Sequence, residues 1–202
     1  MAFLSYLIGG LGLGSVYAII ALGYSMVYGI AKMLNFAHGD VIMVGAFMAY
    51  FAISKYHLPI LVGVALAVVV CTVLGVVIER LAYKPLRHAS SLSVLITAIG
   101  VSYFLQNSAM LLWGTDTKIF PTVLSGSLNI GSLSVPYLTL ITILTCIVIM
   151  VVLTLFINRT KTGRAMRACS EDKGAAALMG INVNRIISIT FAIGSGLAAI
   201  AS

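Results

Sequence analysis

Long apolar stretches alternate with short polar connections along this chain, and six of them approach the length that crosses a bilayer. A spanning helix needs about 20 mostly apolar residues, because a hydrocarbon core roughly 30 Å thick is crossed at about 1.5 Å per residue. The pattern predicts spans at Phe3 to about Ile30, about Asn35 to Ser54, Pro59 to Ile78, about Ser91 to Trp113, Pro136 to Ile157, and about Ile186 to Ala201. The second is fully apolar only beyond Asp40. Pro59 and Pro136 open their helices, where a missing N–H does no harm. Helices satisfy every backbone group internally, and no lipid-exposed alternating strands compete with them. The expected fold is therefore all-α: a polytopic transmembrane helix bundle of about six spans, one domain over 1–202, with a short cytoplasmic helix in the loop 158–185.

Composition narrows the class. Of 202 residues 61% are hydrophobic and 8% charged, too few charges to build a water-facing shell. A soluble globule, a disordered tail and a charged nucleic-acid binder are excluded, and lipid becomes the main solvent. Cys71 and Cys146 lie in apolar runs and Cys169 in a basic one, with no CxxC pair, so neither a disulfide framework nor a metal centre is expected. The first cation is Lys32, so the amino-terminal apolar run lacks the positive region of a secretory signal and reads as a retained helix. The sixth run ends at Ser202 with no interfacial charge or aromatic belt behind it, and the chain is expected to be incomplete at this end.

Charge placement predicts orientation. Lys32 lies between the first two spans, Arg80, Lys84 and Arg87 between the third and fourth, and Arg159, Lys161, Arg164, Arg167, Lys173 and Arg185 between the fifth and sixth. In an alternating topology these ten cations share one face, leaving Lys55 and Lys118 opposite. That face is expected to be cytoplasmic, with the amino terminus outside.

The spans offer little acid–base chemistry. Asp40, with His38 beside it, and Glu79 sit at predicted helix ends; the polar residues inside spans include Tyr17, Tyr24, Ser102, Gln106 and Asn107. Ser102 and Gln106, four apart, share a helix face and could contact a polar solute or simply bond a neighbouring helix. Gly39 interrupts the second span's start, where Asn35 is expected to cap a turn that is either a plain connection or a gate. One His and one Asp are too few ligands for a metal there. Lys161-Thr162-Gly163 and Ser170-Glu171-Asp172-Lys173 match penicillin-recognising motifs letter for letter, but in reversed order and without Ser-Asp-Asn. No phosphate-binding G-x-x-x-x-G-K-[ST] loop exists, so ATP hydrolysis, if it drives this chain, belongs to a partner.

The loop 158–185 is the most informative stretch. Its net charge is +4, and it carries helix punctuation: Ser170 as a cap, Glu171 and Asp172 at the positive end of the dipole, Gly180 as a left-handed terminator, and Asn184 capping the sixth span. The helix expected at Glu171 to Met179 is shorter than the ~12–15 residues that are even marginal in water. It needs a surface. Ala175, Leu178 and Met179, with Ile181, present a small apolar patch suited to headgroups or to another subunit.

Three ordered blocks resemble one family. Gly174-Ala175-Ala176, followed after three residues by Gly180, is similar to the E-A-A-x-x-x-G loop of ABC importer permeases, with Gly174 in place of Glu. The run from Gly163 to Asn182, the amino-terminal runs Gly14 to Ile19, Gly23 to Gly29 and Asn35 to Asp40, and Ile78 to Arg80 with Tyr83 to Arg87 resemble permeases of branched-chain amino-acid ABC transporters, of the LivH/LivM type and closer to LivH. The resemblance implies a non-catalytic, cofactor-free permease subunit in a prokaryotic inner (plasma) membrane. It further implies a second permease, two ATP-binding cassette ATPases and a periplasmic or extracellular substrate-binding protein as partners. The solute would be a hydrophobic amino acid or a related small molecule such as urea or an amide, with an ATP-independent channel as the alternative. In this picture Glu171, Asp172, Gly174, Ala175, Ala176, Leu178, Met179 and Gly180 form the coupling element. Arg164 and Arg167 anchor the loop, and Tyr17, Tyr24, Asn35, His38, Ser102, Gln106 and Asn107 are pathway or gate candidates.

Overall fold

Helix α1 spans Ala2–Ala31, α2 His38–Tyr50, α3 Ile60–Ile78, α4 Ser91–Trp113, α5 Tyr137–Arg159, α6 Lys161–Glu171, α7 Lys173–Leu178 and α8 Val183–Ala201. This is a computed structural model, and it describes residues 2–87, 89–120, 126–130 and 133–202. Among the described residues five helices, α1, α3, α4, α5 and α8, are long and apolar enough to cross a membrane. Their ends fall close to those that hydropathy predicts.

The second predicted span departs from the pattern. It begins at His38 rather than Asn35, runs α-helical only to Tyr50, and finishes in a π-helical turn over Phe51–Lys55. A second π-helical turn, Glu79–Tyr83, extends α3. Two short strands that hydropathy did not reveal, β1 (Ser127–Ile130) and β2 (Leu133–Pro136), pair antiparallel with Leu128 opposite Val135. Four-residue strands are far shorter than the ~9–11 residues needed to span, so the pair forms part of the connection ahead of α5.

Packing is centred on α8, which lies against α1, α2 and α3 and is the most buried of the five long helices. Its small residues make this possible. Gly194 faces Gly23 of α1, where an added Cβ would come 3.0 Å from the Gly194 carbonyl, and Ser195 faces Gly75 of α3. In lipid, association rests on such close backbone approach, since the tails are as apolar as leucine. By contrast α5 and α4 show most of their side chains to the exterior, including Leu144, Val148, Val152, Leu111 and Leu112. At one end of the bundle Phe47 stacks on Trp113 at 4.6 Å between ring centres, tying α2 to the end of α4.

Candidate functional site

At the opposite end, the chain gathers most of its cations and several of its interhelical polar bonds. Glu79 is fully buried; Arg87 pairs with it and also donates to Asn184, while Ser188 Oγ donates to the second Glu79 oxygen at 2.7 Å. These bonds fasten the end of α3 to the start of α8. The Tyr83 hydroxyl donates to the Leu34 carbonyl at 3.3 Å and to Asn35 Oδ1 at 3.1 Å, which fixes the segment that follows α1. Asn35 therefore caps nothing. The residue preceding α2 is Ala37, with no side-chain cap, because the Asn35 amide is held by Tyr83 instead.

The loop between α5 and α8 contains two helices, so the capping expected from sequence shifts by two residues. Thr160 caps α6, and Ser170 lies inside it, donating back to the Arg167 carbonyl at 2.7 Å. Glu171 closes α6 rather than opening the next helix. Asp172 is the cap of α7: its backbone is extended and its Oδ1 accepts from Gly174 N at 2.6 Å and Ala175 N at 3.1 Å. Asp172 rather than Ser170 caps α7 because its backbone is extended, whereas Ser170 is still helical within α6 and spends its hydroxyl on the Arg167 carbonyl. Asn182, not Asn184, caps α8, and α8 starts at Val183 rather than Ile186.

Helix α7 is anchored on one side and bare on the other. Ala176 is buried, while Leu178 is 90% and Met179 83% exposed. The Lys173 ammonium donates to the carbonyl of Ala31, the last residue of α1, at 2.6 Å. A cation there also meets the negative end of the α1 dipole. Burial, then the neighbouring Arg87 and Lys32 charges, push the Lys173 ammonium below the ordinary lysine range. Lys32, Arg87 and Lys173 line one cavity of about 300 Å³ at this end of the bundle. Gly180 has φ +80°, the left-handed terminator expected from sequence. Arg164 and Arg167 are exposed on α6.

The pathway candidates divide into three groups. Tyr24 of α1 meets the His38 ring edge-on at 5.8 Å between centres. Ser102 and Gln106 of α4 are joined at 3.2 Å, and Gln106 Nε2 also donates to Asp40 Oδ1 at 3.0 Å. Tyr17, Asn35 and Asn107 stand apart from these: Tyr17 is exposed on α1, and Asn107 bonds the Tyr103 carbonyl of its own helix. Sequence reasoning passed over Asp40 as a helix-end residue. The signal that could have found it is the polar pair Ser102 and Gln106, which needs a polar partner in an otherwise apolar setting. Among the described residues, no group of three or more His, Cys, Asp or Glu stands close enough to hold a metal ion.

The comparisons agree with this architecture. The family described as "Branched-chain amino acid transport system / permease component" matches residues 6–202. The chain is 44% identical to the high-affinity branched-chain amino acid transport system permease protein BraD of Pseudomonas aeruginosa, over 99% of this chain and 69% of that protein. It is 40% identical to the corresponding LivH of Escherichia coli K12, over 98% and 69%. A probable branched-chain amino acid transport permease protein LivH of Methanocaldococcus jannaschii is 23% identical over 93% of this chain and 61% of that protein. No solved structure matches the chain. Spanning helices, a cationic end and a match that runs along almost the entire sequence lead to one assignment: the chain belongs to the family of permease components of branched-chain amino acid transport systems.

Proposed function

We propose that this chain is the membrane-spanning subunit that passes branched-chain amino acids across the prokaryotic plasma membrane, without catalysis of its own, powered by ATP hydrolysis in partner subunits. The match to branched-chain amino acid permeases along nearly the whole chain carries this reading. A second permease, a pair of ATP-binding cassette ATPases and an external solute-binding protein complete the machine. We place the end that holds Lys32, Arg87 and Lys173 in the cytoplasm, following the cation bias. The unit 1–202 is one transmembrane domain, and 158–185 is its cytoplasmic coupling loop.

In this mechanism α7 is the coupling helix. Leu178 and Met179 seat in an ATPase groove, Asp172, Gly174, Ala175, Ala176 and Gly180 give the segment its shape, and Glu171 ends the helix that carries it. Arg164 and Arg167 hold the loop at the ATPase or the anionic leaflet. A six-residue helix cannot hold itself in water. Its attachment through Lys173 to the end of α1 supplies a direct contact through which displacement of α7 reaches a helix that packs on α8. Movement of α1 against α8 and α2 would alternately open the region around Tyr24, His38, Ser102 and Gln106 to either side. Tyr17, Asn35 and Asn107 are secondary lining candidates.

The test is a crosslink. A photoreactive group at Leu178 or Met179 is expected to capture the ATPase in membranes, and uptake of leucine is expected to stop when ATP is withdrawn. Capture of lipid alone, together with uptake that persists without ATP, would leave an ATP-independent facilitator as the better description. Gly180→Val gives an independent expectation. A β-branched residue at φ +80° costs of order 1–2 kcal/mol, enough to misplace so short a helix. Leucine uptake should fall about tenfold or more while the amount of inserted protein is unchanged, as read by transport assay and membrane immunoblot.

A further inference from the structure

The first turn of α2 starts inside the bundle rather than at its surface. His38 lies against Gly23, eight residues before the end of α1, about 12 Å along the helix axis. The Val41 carbonyl accepts from Cys71 Sγ at 3.4 Å, seven residues before the end of α3, about 10 Å in. Gln106 lies fifteen residues beyond the start of α4, about 22 Å along it. Asp40 is thus placed at membrane depth, between α1, α3 and α4.

Two side chains there are incompletely bonded. Asp40 is 7% exposed, and its Oδ2 has no hydrogen-bond partner; His38 is 4% exposed, and its Nε2 has none. Among the described residues the one salt bridge is Glu79 with Arg87, so no cation offsets Asp40. The positive end of the α2 dipole and one bond from Gln106 help the carboxylate but leave Oδ2 unbonded. An unpaired carboxylate at this depth is costly and points to function rather than packing. Gln106 itself is exposed, although it bonds the buried Asp40. A primary amide facing hydrocarbon is unfavourable, so this side of α4 suits a polar passage better than bare lipid.

We propose that Asp40, with Ser102 and Gln106, is the polar site that takes the ammonium group of the solute during passage. This rests on the reading of the chain as an amino-acid permease. The donor–acceptor pattern fits. Gln106 spends its Nε2 on Asp40 and Ser102, which leaves its Oε1 free to accept. Asp40 Oδ2, Gln106 Oε1 and Ser102 Oγ are three acceptors for the three N–H groups of an ammonium, and the carboxylate neutralises its charge. Oδ2 is closed to solvent in this conformation, so a solute reaches it only after the helices around α2 rearrange. The role is selective: it favours amine-bearing solutes and does nothing for a carboxylic acid that lacks one.

The test uses the transporter assembled with its partner subunits in proteoliposomes. Asp40→Asn should lower leucine uptake about tenfold or more, and Asp40→Glu should restore part of it, with all three proteins melting alike. A second measurement keeps Asp40 intact. Ile99→Cys, one helical turn from Ser102 on the same side of α4, is made in a chain with Cys146→Ala and exposed to a water-soluble thiol reagent. Isoamylamine should slow labelling and isovalerate should not, and Asp40→Asn should abolish the difference. Absence of labelling, equal protection by both compounds, or protection by sodium ion instead of the amine would overturn the assignment. Normal leucine uptake by Asp40→Asn would also overturn it while leaving the amino-acid reading intact; a wild-type transporter that carries no amino acid would instead remove the reading itself.

Discussion

Arg87→Ala is expected to destabilise the folded chain by about 3–5 kcal/mol, the usual cost of stripping a partner from a buried charge. Glu79 has no exposure in the intact chain, so its carboxylate depends on the guanidinium and on the Ser188 hydroxyl for its polar contacts. It keeps the Ser188 hydroxyl alone, and α8 loses the bond from Arg87 to Asn184 as well. Against a total stability of roughly 5–15 kcal/mol, such a loss removes much of the margin. Thermal unfolding of the purified transporter in detergent should show a strongly lowered midpoint and little assembled complex. The double change Arg87→Met with Glu79→Gln should be much milder than Arg87→Ala, because it removes the orphaned charge together with its partner. A midpoint equal to wild type for Arg87→Ala would mean that the Glu79–Arg87 pair does not hold the α3–α8 junction together.

Gly75→Val should be comparably severe for a different reason. A Cβ at this position would collide with Ser195 Oγ, approach Ser195 Cβ to 2.6 Å, and stand 3.2 Å from the Phe191 carbonyl. The first two obstacles are a side chain, but the third is backbone, so α3 and α8 must separate. Overpacking of this kind costs about 1–3 kcal/mol and sometimes more, here at the crossing that holds the most buried helix in place. Gly75→Ala combined with Ser195→Gly should recover most of the stability, since both the Oγ and the Cβ in the way are then gone. If Gly75→Ala alone gives wild-type yield and melting, the α3–α8 crossing is looser than described.

These two positions also mark where sequence reading stops. Glycine at 75 and serine at 195 are legible as small residues in apolar runs, but which small residues face each other depends on how two helices 120 residues apart cross. The capping within residues 158–185 shows the same limit at short range. Ser170, Asp172, Asn182 and Asn184 are all good cap residues, and local propensity cannot rank them. The extended backbone at Asp172 and the claim of Arg87 on Asn184 decide the contest. Asp40 fell outside the expected pathway because its bonding partner, Gln106, lies 66 positions away.

What the sequence determined by itself is five of the six expected long helices, their approximate ends, the side on which most cations lie, the left-handed turn at Gly180 and the family, because each follows from composition, run length or ordered local motifs. Tertiary structure alone decided the depth at which α2 begins, the burial of Glu79 beside Arg87, the attachment of Lys173 to the end of α1 and the isolation of the Asp40 carboxylate. Apolar run length measures how far a segment can reach through lipid. It carries no information on where that segment starts or which distant side chain meets it, since those depend on helices packing against one another.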